Sequence, residues 1–135
     1  MENLLHEKTT RLYCMVPEEH RRDECPSLWL DAQRRGQSMG SFIEGPSFDR
    51  AGNLFIVDIA HGRVFKIYAE TKTMVLVADY DGQPNGLKIH KDGRIFIADY
   101  MNGLMELDPE NAKVNTFLAR DRFPNFKGFN DLLFA

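Results

Sequence analysis

Residues 47–58, SFDRAGNLFIVD, and residues 88–99, KIHKDGRIFIAD, read as two versions of one strand–turn–strand unit. The pairs Gly45/Gly86, Gly52/Gly93, Phe55/Phe96, Ile56/Ile97, Asp58/Asp99 and Gly62/Gly103 all keep the spacing that separates 58 from 99, which is 41 residues. Self-similarity at such a period marks a repeat architecture, in which each unit buries its apolar face against its neighbour. The fold is therefore read unit by unit.

In the first copy the pattern predicts a strand at 46–49 and a turn over Arg50, Ala51 and Gly52. Leu54–Asp58 follows, an apolar run short enough for a fully buried strand. A turn at Gly62 opens a third strand over Arg63–Ile67, and the β-rich Thr73–Ala78 supplies a fourth, more exposed one. The second copy places its tight turn at Asp92 and Gly93, residues that favour positive φ, and is one residue shorter after Gly103. A third copy opens at Asn130, four residues late, with residues 120–127 as the longer connection. Four strands per unit predict an all-β chain of antiparallel propeller blades. Blade one spans 44–80, blade two 84–119 and the start of blade three 128–135, about two and a quarter blades in all. Residues 1–43 do not repeat; they predict a strand over Thr9–Val16 and a short helix over Ser27–Arg35, capped by Ser27 and stopped at Gly36.

Composition narrows the functional classes. With 43% hydrophobic and 27% charged residues the chain is that of a globular domain. Its net charge of -3 comes from 17 basic and 20 acidic residues without a basic stripe, which argues against nucleic acid as a partner. No apolar run approaches the roughly 20 residues of a membrane span, and the first residues lack a secretory leader. A soluble, cytoplasmic protein that does not engage a membrane is expected. Cys14 and Cys25 have neither zinc nor disulfide-framework spacing and are expected as free thiols.

Superposing the copies puts Glu44, Asn85 and Asn130 at one position, at the start of each first strand. In a radial architecture equivalent positions form a ring, so three side-chain oxygens would converge on a central channel. Such donors suit a hard divalent cation such as calcium, magnesium or manganese. The same residues also fit a plainer description: Asn before a strand is a turn former, and Glu44 beside Pro46 is a solvated charge. Asp79, Tyr80, Asp81 and Gly82 resemble a calcium loop with its glycine misplaced, and read as an inter-unit turn. Asp58 and Asp99 recur at the ends of buried strands, which predicts a repeated structural task, accepting hydrogen bonds from turn amides. His6, His20, His61 and His90 share no metal or triad spacing, and no nucleophile elbow, phosphate loop or dinucleotide fingerprint is present.

EGPSFD at 44–49, LFIVDI at 54–59 and GRVF at 62–65, followed by PNGL at 84–87, DGRIFIAD at 92–99 and FND at 129–131, resemble in order the opening of the gluconolactonase and regucalcin family. The resemblance covers about residues 40–135. It implies a six-bladed propeller holding one divalent metal (Ca, Mg, Mn or Zn) and hydrolysing sugar lactones or related esters. Glu44 then matches the glutamate that ligates the metal, Asn130 the third-blade asparagine beside metal and substrate, and Asn85 a second-blade position lining the channel. The family's fourth-blade asparagine and fifth-blade aspartate, the latter its base, have no counterpart here. Asp131 is a poor substitute, since it follows Asn130 and is expected to face the other way. The resemblance thus implies a truncated, catalytically incomplete lactonase. Two alternatives stand: a non-catalytic propeller fragment that binds a partner or self-associates through open blade edges, and a closed small β-domain in which the three aligned residues do not meet.

Overall fold

The computed structural model describes residues 8–135 apart from 123 and 126. Among these, strands β1 (Ile43–Phe48), β2 (Leu54–Asp58), β3 (Arg63–Ile67) and β4 (Met74–Asp79) form one antiparallel sheet in chain order. Strands β5 (Pro84–Ile89), β6 (Ile95–Asp99), β7 (Gly103–Asp108) and β8 (Lys113–Ala119) form a second sheet of the same order. A single α-helix, α1 (Leu28–Arg34), precedes them, with 3-10 turns at Glu18–His20 and Arg120–Arg122.

The apolar runs LFIVD and IFIAD become the inner strands β2 and β6, almost wholly buried along their length. Strands with both faces covered lose the usual alternation. The outer strand β8 is largely exposed, as an edge strand with a Lys113 start is expected to be. In the β1–β2 turn, Asn53 N donates to Asp49 Oδ1 at 2.8 Å and Gly52 adopts φ +81°. Partial burial would raise the Asp49 carboxyl, but the bonds from Asn53 and the Ala51 amide outweigh it and hold the group below its ordinary range.

The two sheets share one register. Ile43 pairs with Asp58 and Phe48 with Leu54, as Pro84 pairs with Asp99 and Ile89 with Ile95. Both first strands carry a bulge, between Glu44 and Ser47 and between Pro84 and Gly86. The predicted strand at 46–49 therefore starts too late: Gly45 and Pro46 look like turn residues but form the bulge of a strand that begins at Ile43. Gly62 and Gly103 are also not equivalent. Asp58 pairs with Arg63 and Asp99 with Gly103, so the residue lost from the second copy lies before Gly103, which stands in Arg63's place.

Two predicted strands are not strands. Thr9–Val16 and the start of the third copy at Asn130 have no ladder partner and lie against the sheets by side chains instead. Cys14 and Val16 pack on Ile56, Phe65, Ile67 and Met74 of the first sheet. The Phe134 ring meets Phe96 of the second at 5.6 Å. The helix forms as predicted: Leu30 N donates to Ser27 Oγ at 3.2 Å, and the chain leaves through left-handed Arg35 and Gly36. Among the described residues no helix is long and apolar enough to cross a membrane.

The main core lies between the sheets. Phe55, Val57, Val64 and Ala78 pack on Leu87, Ile95, Ile97, Met105 and Leu107. At one end of it β1 meets β5. A Cβ on Gly45, which has φ +56°, would lie 2.7 Å from Leu87 N and 2.9 Å from Asn85 O. A Cβ on Gly86 would lie 2.8 Å from Asp131 Cα and 2.9 Å from Asn130 O. The recurring glycine is thus the point at which each unit admits the chain of the next.

The recurring aspartates do the structural task predicted for them. Asp58, fully buried, accepts Phe42 N at 2.9 Å on one oxygen and Arg63 Nε at 3.0 Å on the other. The Arg63 guanidinium also donates to His20 O at 2.5 Å and Gly40 O at 3.3 Å, tying residues 20–41 to the first sheet. Asp99, equally buried, accepts Gln83 N at 3.0 Å, Met101 N and Asn102 N at 2.8 Å each, and the Tyr80 hydroxyl at 2.8 Å.

Arg63→Met leaves the Asp58 carboxylate buried without its counter-ion; urea denaturation is expected to show a loss of about 3–5 kcal/mol. Gly45→Ala forces a Cβ into the β5 backbone at a left-handed position, and the same measurement should show a loss of about 1–3 kcal/mol.

Candidate functional site

Glu44, paired with Val57, directly precedes the β1 bulge, Asn85 is the residue of the β5 bulge, and Asn130 lies on the segment laid against Gly86. The bulge matters because it turns one residue out of the ladder and re-aims its side chain. All three line one cavity of about 360 Å³. Glu44 and Asn85 are half-buried and Asn130 is exposed. Among the described residues none of these three side chains is engaged in a hydrogen bond or ion pair. Side chains with polar ends facing a cavity and no internal partner remain free for a ligand.

The rest of the lining comes from two sources. Trp29 and Gln33, four residues apart on α1, present one helix face to the cavity, with Phe42 beside them; the Trp29 and Phe42 rings are 4.7 Å apart at 52°. Ile59 and Tyr100 complete it. Neither group was singled out from the sequence. A signal existed for Ile59 and Tyr100: each directly follows the recurring aspartate, so they are repeat-equivalent in the same sense as Glu44 and Asn85. For Trp29 and Gln33 only the i, i+4 spacing on a capped helix was available, and nothing in it said where the helix would lie.

Electrostatically the cavity holds one formal charge, Glu44. Asp131 does not add a second. Burial opposes its ionisation, but the Leu132 amide at 2.8 Å and Lys88 Nζ at 3.1 Å outweigh this and hold its carboxyl below the usual range. A carboxylate so stabilised is a weak proton acceptor. Among the described residues no three His, Cys, Asp or Glu side chains cluster as a metal group. The oxygen-bearing side chains on the wall are instead one carboxylate, Glu44, the amides of Gln33, Asn85 and Asn130, and the Tyr100 phenol. His61 Nε2 lies 3.0 Å from Met39 O, and His90 Nδ1 2.7 Å from Asp92 Oδ1, so both serve loops. His6 lies outside the described residues. The Asp79–Gly82 stretch is an inter-sheet turn, and Cys14 and Cys25 are free.

No family model matches the chain. Among curated proteins it is similar to lactonase drp35 of Staphylococcus aureus strain USA300, 40% identical over 70 residues, or 51% of this chain and 20% of that protein. Lactonase drp35 of Staphylococcus epidermidis is 39% identical over 59 residues, 43% of this chain and 18% of that protein. The match thus spans about a fifth of the length of these relatives.

Because the Glu44 carboxylate has no partner among the described residues, Glu44→Gln should change the urea-denaturation free energy by less than about 0.5 kcal/mol, unlike the substitution at Arg63.

Proposed function

We propose that this chain is a lactonase-type unit, its two sheets being neighbouring propeller blades and its cavity the place where a divalent cation and a lactone meet. In this reading Glu44 ligates the cation, Asn130 faces both cation and substrate, and Asn85 lines the substrate side. The observation that carries it is that three residues from separate repeats, Glu44, Asn85 and Asn130, line one cavity with their side chains unengaged. The similarity to lactonase drp35 supports the same chemistry.

A bound divalent cation supplies a Lewis acid for a lactone carbonyl and lowers the pKa of a water held beside it. The chain's own residues would do the rest of the binding. Asn85 and Asn130 have both donors and acceptors to fix the ring oxygens of a lactone. Trp29, Phe42 and Tyr100 give the walls that exclude water from it. Among the described residues the lining carries no second carboxylate, and Asp131 is bonded to Lys88. That single feature favours a second reading, in which the cavity binds without turning over.

The chain's one tryptophan, Trp29, lines the cavity, so its emission reports occupancy. Titration with Ca²⁺, Mg²⁺, Mn²⁺ or Zn²⁺ is expected to shift that emission saturably, with a dissociation constant on the order of 10⁻⁴–10⁻³ M for so few charged ligands, and Glu44→Gln should abolish the shift. A γ- or δ-lactone is then offered with and without chelator. Cation-dependent ring opening supports the hydrolase, cation binding without turnover supports the binding module, and turnover that survives chelator or Glu44→Gln rules the proposal out.

A further inference from the structure

The turn between β4 and β5 sets Asp81 and Gln83 on either side of Gly82, and all three line a second cavity, of about 240 Å³. It adjoins the first. Trp29 belongs to the walls of both. The loops after the recurring aspartates also serve both: Ile59 and Tyr100 line the first cavity, and the residues that follow them, Ala60 and Met101, line the second. Consecutive Cα atoms stand about 3.8 Å apart, so the two cavities are neighbours along one seam of the molecule.

The Asp81 and Gln83 side chains are free, while the backbone that carries them is fixed. Asp81 O accepts Asn102 Nδ2 at 2.8 Å, Gln83 N donates to Asp99 Oδ2 at 3.0 Å, and Gln83 O accepts Tyr100 N at 2.9 Å. A Cβ on Gly82 would lie 2.3 Å from the same Asp99 oxygen, so the turn is drawn tight over the buried carboxylate. Among the described residues no hydrogen bond or ion pair engages the Asp81 carboxylate or the Gln83 side-chain amide. Arg22, Ser27, Tyr80 and His61 on the same wall are already engaged, with Asp79, Ala60 O, Asp99 and Met39 O respectively. A backbone locked in advance lowers the ordering cost of binding a ligand to the side chains left free.

We infer that the second cavity is a subsite for a hydroxyl-bearing substituent on the lactone whose ring occupies the first, with the Trp29 indole as the partition between them. This rests on the lactone reading of the first cavity. The class of substituent follows from the free groups. An ionised Asp81 carboxylate only accepts hydrogen bonds, and the Gln83 amide both donates and accepts. Hydroxyls supply the donor that the first needs and both functions for the second. A carboxylate or phosphate substituent would meet Asp81 as a like charge, and the Arg22 guanidinium is already bound to Asp79.

The test uses two lactams, which keep the ring shape of a lactone and resist opening: δ-valerolactam, a bare ring, and glucono-δ-lactam, the same ring with hydroxyls. With Mg²⁺ present, Trp29 emission reports the bare ring in the first cavity. The rate at which iodoacetamide alkylates Cys25, which is exposed and lines the second cavity, reports occupancy there. Cys14, on neither wall, is the internal standard in the same digest. Both lactams are expected to shift Trp29 emission, and glucono-δ-lactam alone should slow Cys25 alkylation, by at least about three-fold near saturation. Asp81→Ala with Gln83→Ala should abolish that protection and leave the shift by δ-valerolactam unchanged. A shift with δ-valerolactam but no protection of Cys25 by glucono-δ-lactam overturns the subsite and leaves the reading of the first cavity standing. Equal protection by the bare ring, or protection that survives the double substitution, overturns the subsite too. No response of Trp29 to either lactam overturns the lactone reading and the subsite with it.

Discussion

A buried carboxylate at the end of the second strand of each sheet sets the positions of everything that faces the cavity. Asp58 holds the amide of Phe42, two residues before Glu44, and Asp99 holds the amide of Gln83, two residues before Asn85. A carboxylate taken wholly out of water must have its lone pairs satisfied. The backbone that satisfies them is thereby fixed in place. Because the aspartates recur with the repeat, the two candidate site residues follow equivalent, locked starting points.

This makes the cavity a by-product of stacking. Gly45 and Gly86 allow the next unit's chain to approach within the space a side chain would need, and the approach brings Asn85 beside Glu44's strand and Asn130 beside Asn85's. Helix α1, which belongs to no repeat, closes the side with Trp29 and Gln33, held there by the Ser27 hydroxyl, which donates to Ala60 O at 2.5 Å. The polar floor therefore comes from the repeated part of the chain, and much of the aromatic wall from the unrepeated part.

What the sequence made legible follows this division. The inner strands β2 and β6 could be read to the residue because aromatic and β-branched runs are bounded by Asp-Gly or Ala-Gly turns, and local chemistry decides them. The start of β1 could not, since Gly45 and Pro46 carry turn chemistry and only the neighbouring sheet turns them into a bulge. The Gly62 and Gly103 match was misleading for a related reason: a one-residue deletion in a loop is invisible when glycines stand on both sides of it, and only pairing shows that Gly103 replaces Arg63. The segments at 9–16 and 130–134 carry apolar and aromatic residues as strands do, but such local chemistry says nothing about whether a ladder partner exists. For the cavity, the repeat singled out Glu44, Asn85 and Asn130 of its lining. The residues from α1 depend on a tertiary placement that no local pattern encodes.

Gly103 standing where Arg63 stands in the first sheet has a further consequence. The first sheet fastens its carboxylate with the Arg63 guanidinium, while the second uses the Tyr80 phenol, whose proton is retained far beyond the ordinary range because burial, and then the charge of Asp99, both oppose its loss. One clasp is ionic and the other formally neutral on the donor side, yet both hold the same loop in the same place. Duplicated units can therefore drift apart in the chemistry of their fastenings while the geometry they guard stays common to both, which leaves the polar residues between them free to diversify without refolding the frame.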